Sequence, residues 1–175
     1  RRNSTHLINV VQEKDESLRD YLTRFNKESL TVKDLEPDEE IISFSEMDYK
    51  GVRLPHDDPV VVTLQMTLFT MKRILIDSGS STNILYKHAF HQLRISTNQL
   101  MPVKTPLVGF TGEMVHPLGS IDLSMVAGTV PRQTEVQMTF SVVGTPISYN
   151  AIVGPGLNLM EAIVSMKHLV MKFPT

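Results

Sequence analysis

The sequence predicts a mostly β domain of closed or sandwich type behind a short helical segment. Three observations predict it. Past Pro59 the apolar residues alternate with polar ones, the apolar runs are short and punctuated by Gly and Pro, and few stretches carry helical spacing. The 175 residues with 41% hydrophobic content suit one domain of ordinary size with an appendage, with enough apolar surface for a real core.

At the start, "ESLRDYLTRFNKESL" places Leu18, Tyr21, Leu22 and Phe25 on one face of a helix. Ser17 with Asp20 forms a capping box, and Asp20 to Arg24 is a well-oriented pair four residues apart. A shorter helix through Leu7, Val10 and Val11 precedes it, with Thr5 as its cap. Two such short stripes bury little against each other, so this segment calls for a partner surface. From Thr31 to Pro59 the chain is charged and proline-punctuated ("DLEPDEE", "RLPHDDP"), as a linker or lead-in is.

"VVVTLQMTL" then alternates as a half-buried strand, with Val60, Val62, Leu64, Met66 and Leu68 on one face. A second strand, residues 71 to 76, delivers the chain to Asp77. "NILYKHAFHQL" reads as a helix, with Ile84, Leu85, Phe90 and Leu93 to one side. Strand-like runs follow in "TPLVGF", "HPLGSIDLSMVAG", "TEVQMTFSVV", "NAIVG" and "HLVMKF", with a short helix, "LNLMEAIVS", between the last two.

Composition excludes several kinds of chemistry. The chain has no Cys, so disulfides, thiol nucleophiles and thiolate zinc sites are all ruled out. A net charge of -2 with scattered Lys and Arg gives no electrostatic footprint for nucleic acid. The apolar runs are too short for a membrane span or a secretory leader, so a cytoplasmic protein is expected. Any chemistry falls to Asp, Glu, His, Ser, Lys or Tyr.

The stretch that concentrates chemistry is "RILIDSGSSTNILY", residues 73–86. Strand, then Asp-Ser-Gly-Ser, then helix is a sharp loop that presents the carboxylate of Asp77 at the end of a rigid element. Gly79 lets backbone N–H groups approach that carboxylate, while Ser78 and Ser80 offer hydroxyls. By itself such a tetrapeptide is an ordinary surface turn far more often than a site. Its context weighs against that reading. Gly109, Gly112 and Gly119 in "LVGFTGEMVHPLG" outline a hairpin able to close over a groove, and "NAIVG" supplies a second apolar strand ending in Gly154.

In that order of parts the chain resembles the retropepsins, the aspartic proteases of retroviruses and LTR retrotransposons. More narrowly, "PHDDPVVV", "ILIDSGSSTNILY", "LVGFTGE", "SYNAIVG" and "HLVMKFPT" are similar to the protease region of gypsy-type plant retrotransposon polyproteins, in register over about residues 41 to 175. "QEKDESLRDYLTRFNKESL" is similar to the end of the Gag domain of the same elements, without the Cys-rich stretch that usually follows it. The resemblance implies a Gag remnant over 1–35, a linker over 36–58 and a retropepsin-like closed β-barrel over 59–175.

It further implies an aspartic endopeptidase acting on polyprotein junctions or other extended peptides, with no cofactor and no metal. One chain carries a single Asp-Ser-Gly motif, so the second carboxylate would come from a homodimer with Asp77 of each copy at the axis. Ser78 would bond across that axis, Gly79 would keep backbone close to the attacking water, and Ser80 would support the outer carboxylate oxygen. Gly109, Phe110, Thr111, Gly112, Glu113 and Met114 would form the flap, and Ile152, Val153 and Gly154 the second apolar strand. The position after Gly154, commonly Arg in related plant elements, is Pro155 here. That departure, with the truncated Gag, leaves an inactive interaction or dimerisation module as the alternative.

Other constellations have plainer readings. His88 and His91 lack a third ligand and suit a solvated helix face; His56, Asp57 and Asp58 suit a turn into the first strand. No G-x-S-x-G elbow exists for a serine hydrolase. Met66, Met125 and Met138 read as core or groove filling, and Asp122 as a solvent-facing strand residue rather than a second acid.

Overall fold

The computed structural model describes Glu16, Asp20, residues 41–109 and residues 112–174. The helices expected within 1–35 lie outside the described residues, as do Phe110 and Thr111. The chain divides into two units, Arg1–Ile41 and Ile42–Thr175, and the second contains the fold described below.

Ten strands and two short α-helices, with 3-10 turns at Glu46–Tyr49 and Thr97–Gln99, make up the regular structure among the described residues of that unit. They are β1 (Val61–Met66), β2 (Phe69–Ile76), β3 (Asn83–Tyr86), α1 (Lys87–Gln92), β4 (Leu107–Val108), β5 (Met114–Val115), β6 (Gly119–Thr129), β7 (Arg132–Val143), β8 (Ala151–Val153), α2 (Gly156–Leu159), β9 (Ile163–Ser165) and β10 (Val170–Lys172). Six of the strands close a barrel in the order β1-β2-β8-β3-β7-β6, with β6 returning to β1. This is the mostly β, closed architecture expected from the sequence.

Alternation fills the barrel. Along β6, Ile121, Leu123, Met125 and Ala127 are buried while Asp122 is exposed, bonded to Thr139 opposite it on β7. Met66, Met125 and Met138 are fully buried, as expected of unbranched side chains that fit irregular gaps. Phe140, Phe90, Ile74, Leu85 and Val153 complete the centre of the core.

The first strand ends earlier than its period indicates. Thr67 adopts φ +56° and the chain reverses at Thr67 and Leu68, so Leu68 is 84% exposed. No Gly or Asn marks this turn, and the alternation runs straight through it. A second irregularity sits in β2, where Val62 pairs with Ile74 but Leu64 pairs with Met71. Lys72 and Arg73 therefore oppose Thr63 alone, with Arg73 at φ +58°. This bulge inverts the inward face, so that Ile74 and Ile76 point into the core beyond it. Asn150 satisfies the disturbed carbonyls: its N–H donates to Arg73 O at 3.0 Å and its Nδ2 to Lys72 O at 2.7 Å.

Two expected helices are each part strand. Asn83–Tyr86 is β3, inserted between β7 in parallel and β8 in antiparallel register, and the helix begins only at Lys87. Ile84 and Leu85 have the right spacing for a helix, but the ladder on either side of them outweighs that local preference. In "LNLMEAIVS" the helix stops at Leu159, Glu161 takes φ +51°, and Ile163–Ser165 turns into β9, which pairs with β10.

The segment before the barrel packs on this C-terminal hairpin. Lys172 Nζ lies 2.9 Å from Asp48 and donates to Ser43 O at 2.7 Å. His168 stacks against Phe44 at 5.6 Å between centroids and meets Tyr49 at 4.2 Å. Hydrogen bonding from Lys172, then from the Ser45 N–H, holds the Asp48 carboxyl below its ordinary range. A hydrogen bond to Tyr49 raises the Lys167 ammonium. His56 Nε2 is 3.2 Å from Lys167 O, and a carbonyl only accepts, so Nε2 carries the proton; Nδ1 is buried without a partner. His56 is thus seated on the hairpin backbone at the entrance to β1. No helix among the described residues is long and apolar enough to cross a membrane.

Candidate active site

The site grows out of the end of β2. Its last residues pair in parallel with β8, Ile74 with Ala151, Leu75 with Ile152 and Ile76 with Val153, and the ladder continues one step further through Asp77 N–H to Val153 O at 3.0 Å. Asp77 therefore begins its loop from a main chain already fixed on both sides, since Ile76 N–H also donates to Val60 O at 2.9 Å.

Past Asp77 the chain turns back at once. Ser80 N–H donates to Asp77 O at 3.1 Å, and Gly79 N–H donates to Asp77 Oδ1 at 3.0 Å. A Cβ on Gly79 would come within 3.3 Å of that same carboxylate oxygen, tighter than ordinary packing. A backbone N–H aimed at a carboxylate fixes one of its oxygens. Asp77, Ser78 and Gly79 are exposed and Ser80 is half-buried, so the acid faces outward from a rigid base. The Ser80 hydroxyl, expected at the outer carboxylate oxygen, donates instead to Thr82 O at 2.8 Å, and it has one proton to give.

Gly154, at the end of β8, is pressed against this loop. A Cβ there would lie 2.8 Å from Ser80 O, 2.9 Å from Ser80 Cβ and 3.0 Å from Asp77 O. The residues Ile152, Val153 and Gly154 thus sit directly beside the Asp77 loop. Pro155 follows in the right-handed helical region at φ -59° and ψ -25°, and leads into α2.

Sequence reasoning missed Asn83. It is a polar residue only 6% exposed, at the start of β3. Its Oδ1 accepts from Gly154 N–H and Gly156 N–H, both at 3.0 Å, and its Nδ2 donates to Thr139 O at 3.1 Å on β7. The available signal was an amide side chain preceding three apolar residues, in a run read as helix. A buried Asn in a strand needs partners for both edges of its amide, whereas one on a helix surface does not.

The flap expected between Gly109 and Met114 is a hairpin. Leu107 pairs with Val115 and Val108 with Met114, while Gly109 N–H donates to Glu113 O at 2.9 Å and Gly112, at φ +85°, donates to Gly109 O at 3.0 Å. Val108 is 69% and Met114 66% exposed, which leaves apolar side chains on an outer surface.

The competing constellations are placed elsewhere. His88 Nε2 is engaged with Asn150 Oδ1 at 2.9 Å, and no group of three or more His, Asp or Glu able to hold a metal occurs among the described residues.

No protein-family model and no curated protein matches the chain. Among solved structures it is similar to the retroviral protease-like domain of Ddi1 from Leishmania major, at 14% identity and TM-score 0.46, over 66% of this chain and 87% of that one. It is similar to the EIAV protease complexed with the inhibitor HBY-793, at 17% identity and TM-score 0.47, over 66% of this chain and 100% of that one. A retropepsin-like aspartic protease from Rickettsia conorii is similar at 15% identity and TM-score 0.43, over 61% and 76% of the two chains.

Proposed function

We propose that the protein is an aspartic endopeptidase acting as a homodimer, with the Asp77 carboxylates of two copies meeting at the dimer axis. The observation that carries this reading is an exposed carboxylate at the end of a barrel strand, on a loop anchored to the adjacent β8 and oriented by the Gly79 N–H. A chain with one such loop has half of a two-carboxylate site, and a two-fold axis supplies the other half. Two carboxylates a few ångströms apart hold one proton between them. The ionised one takes a proton from water as that water attacks the scissile carbonyl, and the protonated one stabilises the oxyanion.

In this reading Ser78 bonds across the axis, and the hairpin from Gly109 to Met114, including Phe110 and Thr111, covers an extended peptide that pairs with it as an added strand. The parent is a polyprotein of a gypsy-type plant retrotransposon, processed in the cytoplasm, with a Gag remnant in 1–35, a linker in 36–58 and the protease in 59–175. The alternative, an inactive interaction module, draws on the truncated Gag and on Pro155, which cannot make the charged contacts of an Arg. The backbone itself accommodates Pro155, which sits in an unstrained helical conformation between two amides satisfied by Asn83.

The test is cleavage of a dye-quenched unfolded protein at mildly acidic pH over a range of enzyme concentrations, beside Asp77→Asn. Activity rising faster than linearly with concentration, and falling at least about a thousandfold in Asp77→Asn, is expected. Absence of cleavage where the protein is demonstrably dimeric sinks the proposal.

A further inference from the structure

The Asp77 loop is closed by a residue that touches no part of the carboxylate. At its start Asp77 N–H reaches Val153 O; six residues on, Asn83 Oδ1 takes the N–H of Gly154, the residue after Val153. One peptide unit of β8 thereby ties both ends of the loop. The same Oδ1 also takes Gly156 N–H, while Nδ2 anchors the amide to Thr139 O on β7. Neither amide edge is free to rotate, because turning it over would set two N–H donors against Nδ2 and a carbonyl against Oδ1.

The sequence between the two clamped amides matches this geometry. Oδ1 accepts from residues 154 and 156 and skips 155, and Pro155 has no N–H to be left unsatisfied there. Gly156 also lies in close approach, since a Cβ there would press on the end of the Met138 side chain and lie 3.1 Å from Asn83 Oδ1. Gly154 is held between Asn83 on one side and the Asp77 and Ser80 backbone on the other. Any movement of Gly154 is therefore passed to the main chain that carries the acid.

We propose that Asn83 is a positioning residue for Asp77: its amide clamps Gly-Pro-Gly at the end of β8 and so sets where the Asp77 loop and its carboxylate stand. The consequence for chemistry rests on the peptidase reading above, whereas the clamp itself does not. Its removal acts on turnover more than on substrate binding, because peptide contacts lie with other residues and the reacting geometry lies with the loop.

The experiment uses the full-length chain with Asn83→Leu, which keeps the branching at Cγ and removes both amide edges, and Asn83→Asp, whose protonated carboxyl reproduces one accepting and one donating edge. Three amides report by NMR: Gly154 and Gly156 on the clamp, and Gly79 on the Asp77 carboxylate. In Asn83→Leu, Gly154 and Gly156 exchange at least about tenfold faster, the Gly79 amide resonance moves, and kcat on the dye-quenched substrate falls about 10- to 100-fold with KM within about twofold. Asn83→Asp at acidic pH restores kcat to within about threefold and the Gly79 resonance to its original position. A folded Asn83→Leu with unchanged kcat, or a Gly79 amide that stays put while Gly154 and Gly156 open, overturns the proposal. Should Asn83→Leu fail to fold, Asn83→Asp decides alone: as its carboxyl ionises and loses the bond to Thr139 O, the Gly79 resonance follows, and an unmoved Gly79 overturns it. Should the wild type cleave nothing, the peptidase reading fails while the three amides still decide the clamp.

Discussion

The Asp77 loop and the β4–β5 hairpin are both short reversals shaped by glycines, yet different forces hold them. The loop is tied to β8 and, through Asn83, to β7, and the neighbouring Gly154 and Gly156 closely approach its backbone and the buried Met138 side chain. The hairpin stands on two-residue strands, and a Cβ at Gly112 would meet nothing within 4 Å. Its paired residues Val108 and Met114 are exposed rather than packed. Under the proposed function, a carboxylate that meets its counterpart across an axis needs the first kind of construction, and a cover over an extended peptide needs the second.

Gly154→Ala strikes the rigid side of this contrast hardest. The added methyl meets backbone atoms and Ser80 Cβ under about 3 Å, so the loop itself must shift. We expect a loss of about 1–3 kcal/mol in denaturant unfolding and near-complete loss of cleavage. Gly156→Ala sharpens the comparison, because there the nearest atoms are the end of the Met138 side chain, which can swing aside. It should retain more stability and more activity than Gly154→Ala; equal damage would mean that the close backbone contact at Gly154 is not what matters.

On the hairpin, Val108→Ser and Met114→Ser should leave the unfolding midpoint within about 0.5 kcal/mol while raising KM about fivefold each, for a lost apolar contact of about 1 kcal/mol. A stability loss with unchanged KM would make the hairpin a structural element and not a cover.

The smallest effect belongs to the segment docked on β9–β10. The Asp48 carboxyl is held below its ordinary range by Lys172, so its contribution is present above the usual carboxylate pKa and is lost as pH falls through its lower folded value. Asp48→Asn should lower Tm by no more than about 2 °C at neutral pH, shrinking to nothing in strong acid. A deficit that grows on acidification would contradict that sign.

Much of the barrel was legible because alternation is local. The faces of β6 and the burial of Met66, Met125 and Met138 follow from period two alone. Thr67 and Arg73 were not legible, since left-handed backbone at a Thr and an Arg is imposed by strand reversal and bulge, without a glycine to announce it. Asn83–Tyr86 was misread as helix for a related reason: its apolar spacing serves either structure, and only the neighbours β7 and β8 decide.

The sequence alone carried a mostly β domain, closed or sandwich, and the exposure of Asp77 beside Gly79, because those depend on period and on residue chemistry within a few positions, whereas closure of the barrel rests on pairs such as Gln65 with Val126. It also contained the second apolar strand and the hairpin that follow. Only the tertiary structure decided that Ser80 bonds to Thr82, that Pro155 is accommodated, and that Asn83 holds Gly154 and Gly156. Those contacts join residues up to 73 positions apart, and a buried amide finds its partners only when the strands around it have closed.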